Sequence, residues 1–128
     1  MNKLIIDVAN EKIFLMIITI TSIYNITHEN TKINYEKLTI IINDFLLSKN
    51  LKISDISIIY INSGPGSFAG IRNSMSVVKA LNVAKKIDYY CYNLHHFKDE
   101  QDVSYENIPN LCKKYKIKKN LINPIYIS

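Results

Sequence analysis

The stretch that most constrains this chain is residues 56–86, where a buried strand, a glycine turn and a helix follow one another directly. The run Ile56-Ser57-Ile58-Ile59-Tyr60-Ile61 is apolar at consecutive positions where a half-exposed strand would alternate. That pattern predicts a central strand covered on both faces. The next segment, Asn62-Ser63-Gly64-Pro65-Gly66-Ser67-Phe68-Ala69-Gly70, holds all 3 glycines of the chain. Positive φ or close backbone approach is therefore needed here above all. From 71 to 86 neither Gly nor Pro intervenes, and Met75, Val78, Leu81 and Ala84 recur at helical spacing.

A glycine loop between a strand and a helix N-terminus can cradle phosphate, because unpaired amides and the helix dipole converge there. The spacing matches neither G-x-G-x-x-G nor G-x-x-x-x-G-K-[ST], since Gly70 is followed by Ile71 and Arg72. Turn geometry is the stronger reading of Gly64, Pro65, Gly66, Ser67 and Gly70, with Gly64 and Gly66 kept as phosphate candidates. On the helix, Ile71, Met75, Val77, Val78, Ala80, Leu81, Val83 and Ala84 sweep more than half the circumference, leaving a polar stripe of Arg72, Lys79 and Lys86. A helix lying on a sheet needs only about a 100° apolar arc. The surplus face with Ala80, Val83 and Ala84 must meet a second helix of the chain or a protein partner, docked through small residues.

Residues 34–49 read as another helix, N-capped by Asn34, with Glu36 in its first turn and Asn50 at its end. Leu38, Ile41, Ile42, Phe45 and Leu46 make its core stripe, and Ile40 and Leu47 form a second apolar line on the far side. Upstream, residues 4–10 predict a short strand closed by a turn, and 12–19 with 22–27 predict a β-hairpin rich in Ile and Thr. The apolar run 13–20 is shorter than the ~18 residues of a membrane span. The start lacks the apolar stretch and cleavage site of a signal peptide, so the chain is expected in the cytoplasm. Residues 88–93 read as a further strand.

With 128 residues and 48% hydrophobic content the chain is sized for one folded domain. A net charge of +5 permits nucleic-acid contact, but the Lys excess accompanies excess Ile and Asn and discriminates poorly. Cys91 and Cys112 lack metal-type spacing and read as reduced thiols. His95 and His96 are adjacent and point apart on any regular element, so they read as solvated or core-edge histidines and not as metal ligands. The acidic run 99–102 is loop-like, and residues 108–115 predict a short helix at Pro109. Lys113, Lys114, Lys116, Lys118 and Lys119, with Tyr115 among them, form either a solvated face or a contact for tRNA phosphates. No residue has the setting of a nucleophile, general base or metal ligand, so the isolated chain is expected to be catalytically inactive.

The run Ser63-Gly64-Pro65-Gly66-Ser67-Phe68-Ala69-Gly70-Ile71-Arg72 resembles the S/N-G-P-G-S-F-T-G-L-R signature of the TsaB (YeaZ) family of tRNA threonylcarbamoyladenosine biosynthesis proteins. Ser76, Lys79, Ala80 and Leu81 resemble its helical continuation, and Leu94-His95-His96-Phe97 resembles the segment where the family begins another helix. Ala69 stands for the usual Thr, and Asn73-Ser74 for Ile-Gly. Residues 121–128 resemble the family's terminal P-x-Y-L-R strand.

The resemblance implies an α/β fold: a single ribonuclease-H-like lobe of the actin/Hsp70 superfamily, with a mixed sheet of about five strands and two main packing helices. It implies a TsaB-like N-terminal lobe over 1–97 and a reduced C-terminal remnant over 98–128. The function implied is a non-catalytic accessory subunit, supporting TsaD in threonylcarbamoylation of adenosine 37 in ANN-decoding tRNAs. Partners would be TsaD, a Kae1-type protein, in a heterodimer, and TsaE in the complex. ATP and metal are expected on TsaD and no cofactor on this chain, a homodimer is open, and tRNA contact is expected to be indirect or weak. The interface would be Ile40, Leu47, Arg72, Ser76, Lys79, Ala80, Val83 and Ala84. Ile6-Asp7-Val8-Ala9 resembles the superfamily's first-strand phosphate and metal turn, but both hydroxyl positions are apolar here. Asp7 therefore reads as a strand-end residue before an ATP or Mg²⁺ ligand. Two alternatives stay open: a small nucleotide-binding ATPase-like protein using the Gly64 to Gly70 turn, and a self-associating structural domain.

Overall fold

The structure, a computed structural model, describes residues 1–122 and the backbone of 126–127. Strands β1 (Asn2–Asp7), β2 (Lys12–Ile18) and β3 (Ile23–Glu29) form an antiparallel meander. Next come helices α1 (Lys32–Glu36) and α2 (Leu38–Ser48), strand β4 (Ile56–Asn62), the short β5 (Gly66–Ser67), helix α3 (Phe68–Lys85) and strand β6 (Asp88–Tyr92). Helix α4 (Ile108–Lys114) and strand β7 (Tyr126–Ile127) follow. The main sheet has the order β3-β2-β1-β4-β6, with β4 parallel to β1 and β6 parallel to β4. β5 pairs in parallel with β7 in a separate two-stranded sheet. Of the terminal run expected as a strand, residues 123–125 and 128 lie outside the described residues.

The unbroken apolar runs behave as expected of strands with two covered faces. Leu4 and Ile6 of β1, with Ile59 and Ile61 of β4, point into a core closed by Leu38, Ile42, Phe45 and Leu46 of α2 and Ile71, Met75 and Val78 of α3. Their alternates Ile5 and Tyr60 point the other way, where Phe97, Ile108, Leu111 and Cys112 cover them. β3, at the sheet edge, alternates between exposed and half-buried residues, and its Tyr24 and Ile26 reach the first core.

Residues 34–49 are two helices and not one. Thr31, not Asn34, is the N-cap, its hydroxyl accepting from the Asn34 amide at 3.3 Å. The Asn34 side chain instead donates to the Glu29 carbonyl at 2.8 Å, pinning the first turn to the end of β3. The helix breaks at Lys37 (φ −99°, ψ 17°) before α2 begins. Asn50 ends α2 as the sequence predicts, at φ 58°, with Asn50 N donating to Leu47 O and Leu51 N to Leu46 O. Those two bonds satisfy carbonyls that the helix end would leave unpaired. Helix α3 starts 3 residues earlier than the run 71–86 implied, because the Ser67 hydroxyl accepts from the Gly70 amide and caps it there.

The glycines serve close approach more than φ. Gly64 has φ 121°, which favours glycine. A Cβ on Gly66 would lie 2.3 Å from the Ala9 carbonyl oxygen, and one on Gly70 would lie 2.1 Å from the Val8 carbonyl oxygen. The loop after β4 therefore rests directly on the backbone leaving β1. Gly70→Ala is expected to destabilise the fold by about 1–3 kcal/mol through overpacking, read as a lower urea midpoint at unchanged slope.

Candidate functional site

Two places gather the residues that the sequence singles out. The first is the carboxyl end of β1. Asp7 is 2% exposed, and its oxygens accept from four donors. Oδ1 takes the Ala9 amide at 3.0 Å and the Asn10 side chain at 3.4 Å. Oδ2 takes the Asn62 side chain at 3.1 Å, the Tyr105 hydroxyl at 2.8 Å and the same Asn10 side chain at 3.3 Å. Asn62 in turn accepts from the Gly64 amide at 2.9 Å, so one carboxylate joins the ends of β1 and β4 and the glycine turn. A buried carboxylate is tolerated only when so satisfied. Tyr105 closes this group from outside, its ring stacked on Phe14 at 3.8 Å between centroids.

The amides that a phosphate cradle needs have acceptors within the chain: Gly64 N on Asn62, Ser67 N on the Ala9 carbonyl and Gly70 N on the Ser67 hydroxyl. With Val8 and Ala9 apolar, this turn has the donor set of an internal clasp. His96 is half-buried and caps a 3₁₀ turn over Leu94–Phe97 through reciprocal bonds with Asn93, whereas His95 is exposed. Among the described residues no cluster of three His, Cys, Asp or Glu is placed to hold a metal.

The second place is the outer surface of α2 and α3. Ile40 is 59% exposed, Leu47 61% and Val83 68%; Ala80, Ala84, Arg72, Ser76 and Lys79 are exposed too. A shallow groove of about 340 Å³ runs between the two helices, lined by Thr39, Val77, Ala80, Leu81 and Ala84. The Ser76 hydroxyl donates back to the Arg72 carbonyl at 3.0 Å. Neither Arg72 nor Lys79 has an ion pair among the described residues. Helix α4, the C-terminal helix, packs on the opposite face of the sheet and leaves this surface bare.

Sequence reasoning missed Asn62 and Tyr105 as partners of Asp7. Asn62 carried a signal, a polar residue ending a buried strand that runs parallel to β1. Tyr105 is 98 positions from Asp7, a separation without a local signature.

A five-stranded mixed sheet in this order, with helices on both faces, defines a ribonuclease-H-like α/β domain. A family model described as TsaD, tRNA N6-adenosine threonylcarbamoyltransferase, matches residues 28–99, and the chain belongs to that family. Its fold is YeaZ-like. YeaZ from Pseudomonas aeruginosa superposes with a TM-score of 0.66 at 18% identity. An uncharacterized protein with similarity to peptidase YeaZ from Pseudomonas aeruginosa gives 0.67 at 20%. Both alignments cover 78% of this chain but 49% of the other, so the chain spans about half the length of the YeaZ structures it matches. RuvC of T. thermophilus in complex with Holliday junction substrate gives 0.54 at 8% identity, over 96% of this chain and 83% of that one. No curated protein matches the chain.

Burial raises the Tyr105 hydroxyl well above its ordinary value of 10.0, and the Asp7 charge and hydrogen bond add to this. Burial likewise pushes Cys112 up to about 12, Cys91 adding to it. The folded state holds these protons more tightly than the unfolded chain, so their stability contribution is complete below about pH 9 and is lost as pH rises through the folded values. Tyr105→Phe removes the shortest bond to Oδ2, leaving the Asn62 and Asn10 side chains as its donors, and a loss of about 1.5–3 kcal/mol is expected near neutral pH. Urea unfolding at about pH 8 and pH 11 checks both points: the variant is less stable at the lower pH and loses less between the two.

Proposed function

We propose that this chain is a non-catalytic accessory subunit in threonylcarbamoylation of tRNA adenosine, docking on a TsaD-type subunit through the outer face of α2 and α3. The observation that carries this reading is the bare apolar surface of Ile40, Leu47, Ala80, Val83 and Ala84 on two helices whose other sides are buried. Family membership and the YeaZ-like fold supply the process. Small residues at Ala80 and Ala84 allow close helix approach. Arg72 and Lys79, neither ion-paired among the described residues, border them as cations that select an acidic rim on the partner. In this reading ATP and metal chemistry belong to the TsaD-type subunit, TsaE joins the complex, and this chain holds its partner in a competent form. The Asp7 clasp supports the non-catalytic role, since its oxygens are engaged by the chain's own donors.

Self-association through the same surface is the second reading, favoured by the same apolar residues. Co-purification with the cognate TsaD-type subunit separates the two: a heterodimer that displaces any homodimer supports the accessory role, and indifference to that subunit removes it. Measurable ATP binding by the isolated chain favours a nucleotide-binding protein instead. Ala80→Glu is expected to abolish association by placing an unpaired carboxylate in the contact, with unchanged thermal unfolding because Ala80 is exposed.

A further inference from the structure

The sheet face opposite α2 and α3 carries a second feature. β1, β4 and β6 present Lys3, Tyr60 and Tyr90 to it, Tyr60 and Tyr90 being register partners with rings 5.4 Å apart and nearly parallel. Helix α4 covers the middle of this face with Ile108, Leu111 and Cys112 and then turns away. Lys116 takes the left-handed conformation there, at φ 54°, with Lys116 N bonded to Lys113 O and Ile117 N to Cys112 O. The turn leaves a cavity of about 510 Å³ walled by Lys3, Tyr60, Tyr90, Cys112, Lys113 and Lys116.

The chemistry of the walls is one-sided. Lys114 is paired with Glu100 and Lys119 with Asp88, but Lys3, Lys113 and Lys116 have no carboxylate partner among the described residues. Among the described residues no acidic side chain lines the cavity. Tyr60 is 5% exposed, and its hydroxyl, which has no hydrogen-bond partner among the described residues, keeps solvent contact at the cavity it lines. Burial, with Cys112 and Tyr90 nearby, pushes that hydroxyl up to about 12, so it remains a protonated donor at neutral pH. A hydroxyl donor at the wall of a cavity lined by three lysines offers a hydrogen bond where those ammonium groups favour an anion. The volume exceeds what a lone ion fills and lies in the roughly 300–1,000 Å³ range of small-molecule sites. Tyrosine rings beside a cationic cluster are the surfaces on which nucleobases stack.

We propose that this cavity binds a nucleotide, its phosphate held by Lys3, Lys113, Lys116 and the Tyr60 hydroxyl, with its base against Tyr90. The same chemistry is offered by a nucleoside monophosphate and by a nucleotide unit of single-stranded RNA. The site lies across the sheet from the α2 and α3 surface and does not depend on what that surface binds.

Titration of the full chain with AMP, with a fluorescent oligoadenylate and with inorganic phosphate tests the proposal. Binding of AMP or of the oligonucleotide is expected, weakened about tenfold or more by Lys113→Ala combined with Lys116→Asn, the latter chosen because Asn tolerates the left-handed turn. For the oligonucleotide the double variant lowers the salt slope by about two. Lys114→Ala, at a lysine already paired, is expected to change affinity less than about twofold. Tyr60→Phe removes only the unpartnered hydroxyl and is expected to weaken binding with unchanged unfolding. Oligoadenylate binding far above AMP identifies an RNA strand as the ligand, and equal affinity identifies the mononucleotide. The proposal is overturned if neither binds, if phosphate alone binds as tightly, or if Lys114→Ala weakens binding as much as the double variant.

Discussion

The end of β1 is held against the loop after β4 so closely that glycine is required at two of the contacts. The carbonyls of Val8 and Ala9 occupy the space that side chains at Gly70 and Gly66 would need. Asp7 reinforces the same junction, because a carboxylate taken out of water must be met by donors, and these come from Ala9, Asn10, Asn62 and Tyr105. The parallel pairing of β1 with β4, the start of α3 and the placement of the 3₁₀ turn at Tyr105–Asn107 all meet there. The two cores on either side of the sheet are thereby fixed relative to each other.

That arrangement gives the domain two surfaces of opposite character. On one side the inward arcs of α2 and α3 fill the larger core, and their outward arcs remain apolar with a cationic border. On the other side one short helix covers only part of the sheet and leaves tyrosines and lysines around a cavity. The sheet thus separates an exposed apolar helical surface from a cavity walled by lysines and tyrosines.

The central strands, the glycine turn and both long helices were legible in the sequence because each is a local pattern: continuous apolar runs, clustered glycines and helical spacing around Leu38 and Met75. The exposed line of Ile40 and Leu47 was legible for the same reason, as apolar positions beyond what one sheet face accommodates. Details set by neighbours distant in the chain were not. Asn34 looked like a cap but is claimed by the Glu29 carbonyl, leaving Thr31 to cap the helix. The role of Tyr105 depends on Phe14 and Asp7, neither near it in sequence. Lys3 and Lys113 likewise meet only because β1 and α4 share a face of the sheet.

Asn120 sits beside β6 with its amide bonded to the Tyr89 carbonyl and its side-chain oxygen accepting from the Tyr89 amide, while Lys119 bridges to Tyr90. A single asparagine thus meets the outward amide and carbonyl of Tyr89 as a neighbouring strand would, and blunts that border of the sheet there. The opposite border has no such plug among the described residues, and β3 offers its outer backbone there between alternating exposed and half-buried side chains.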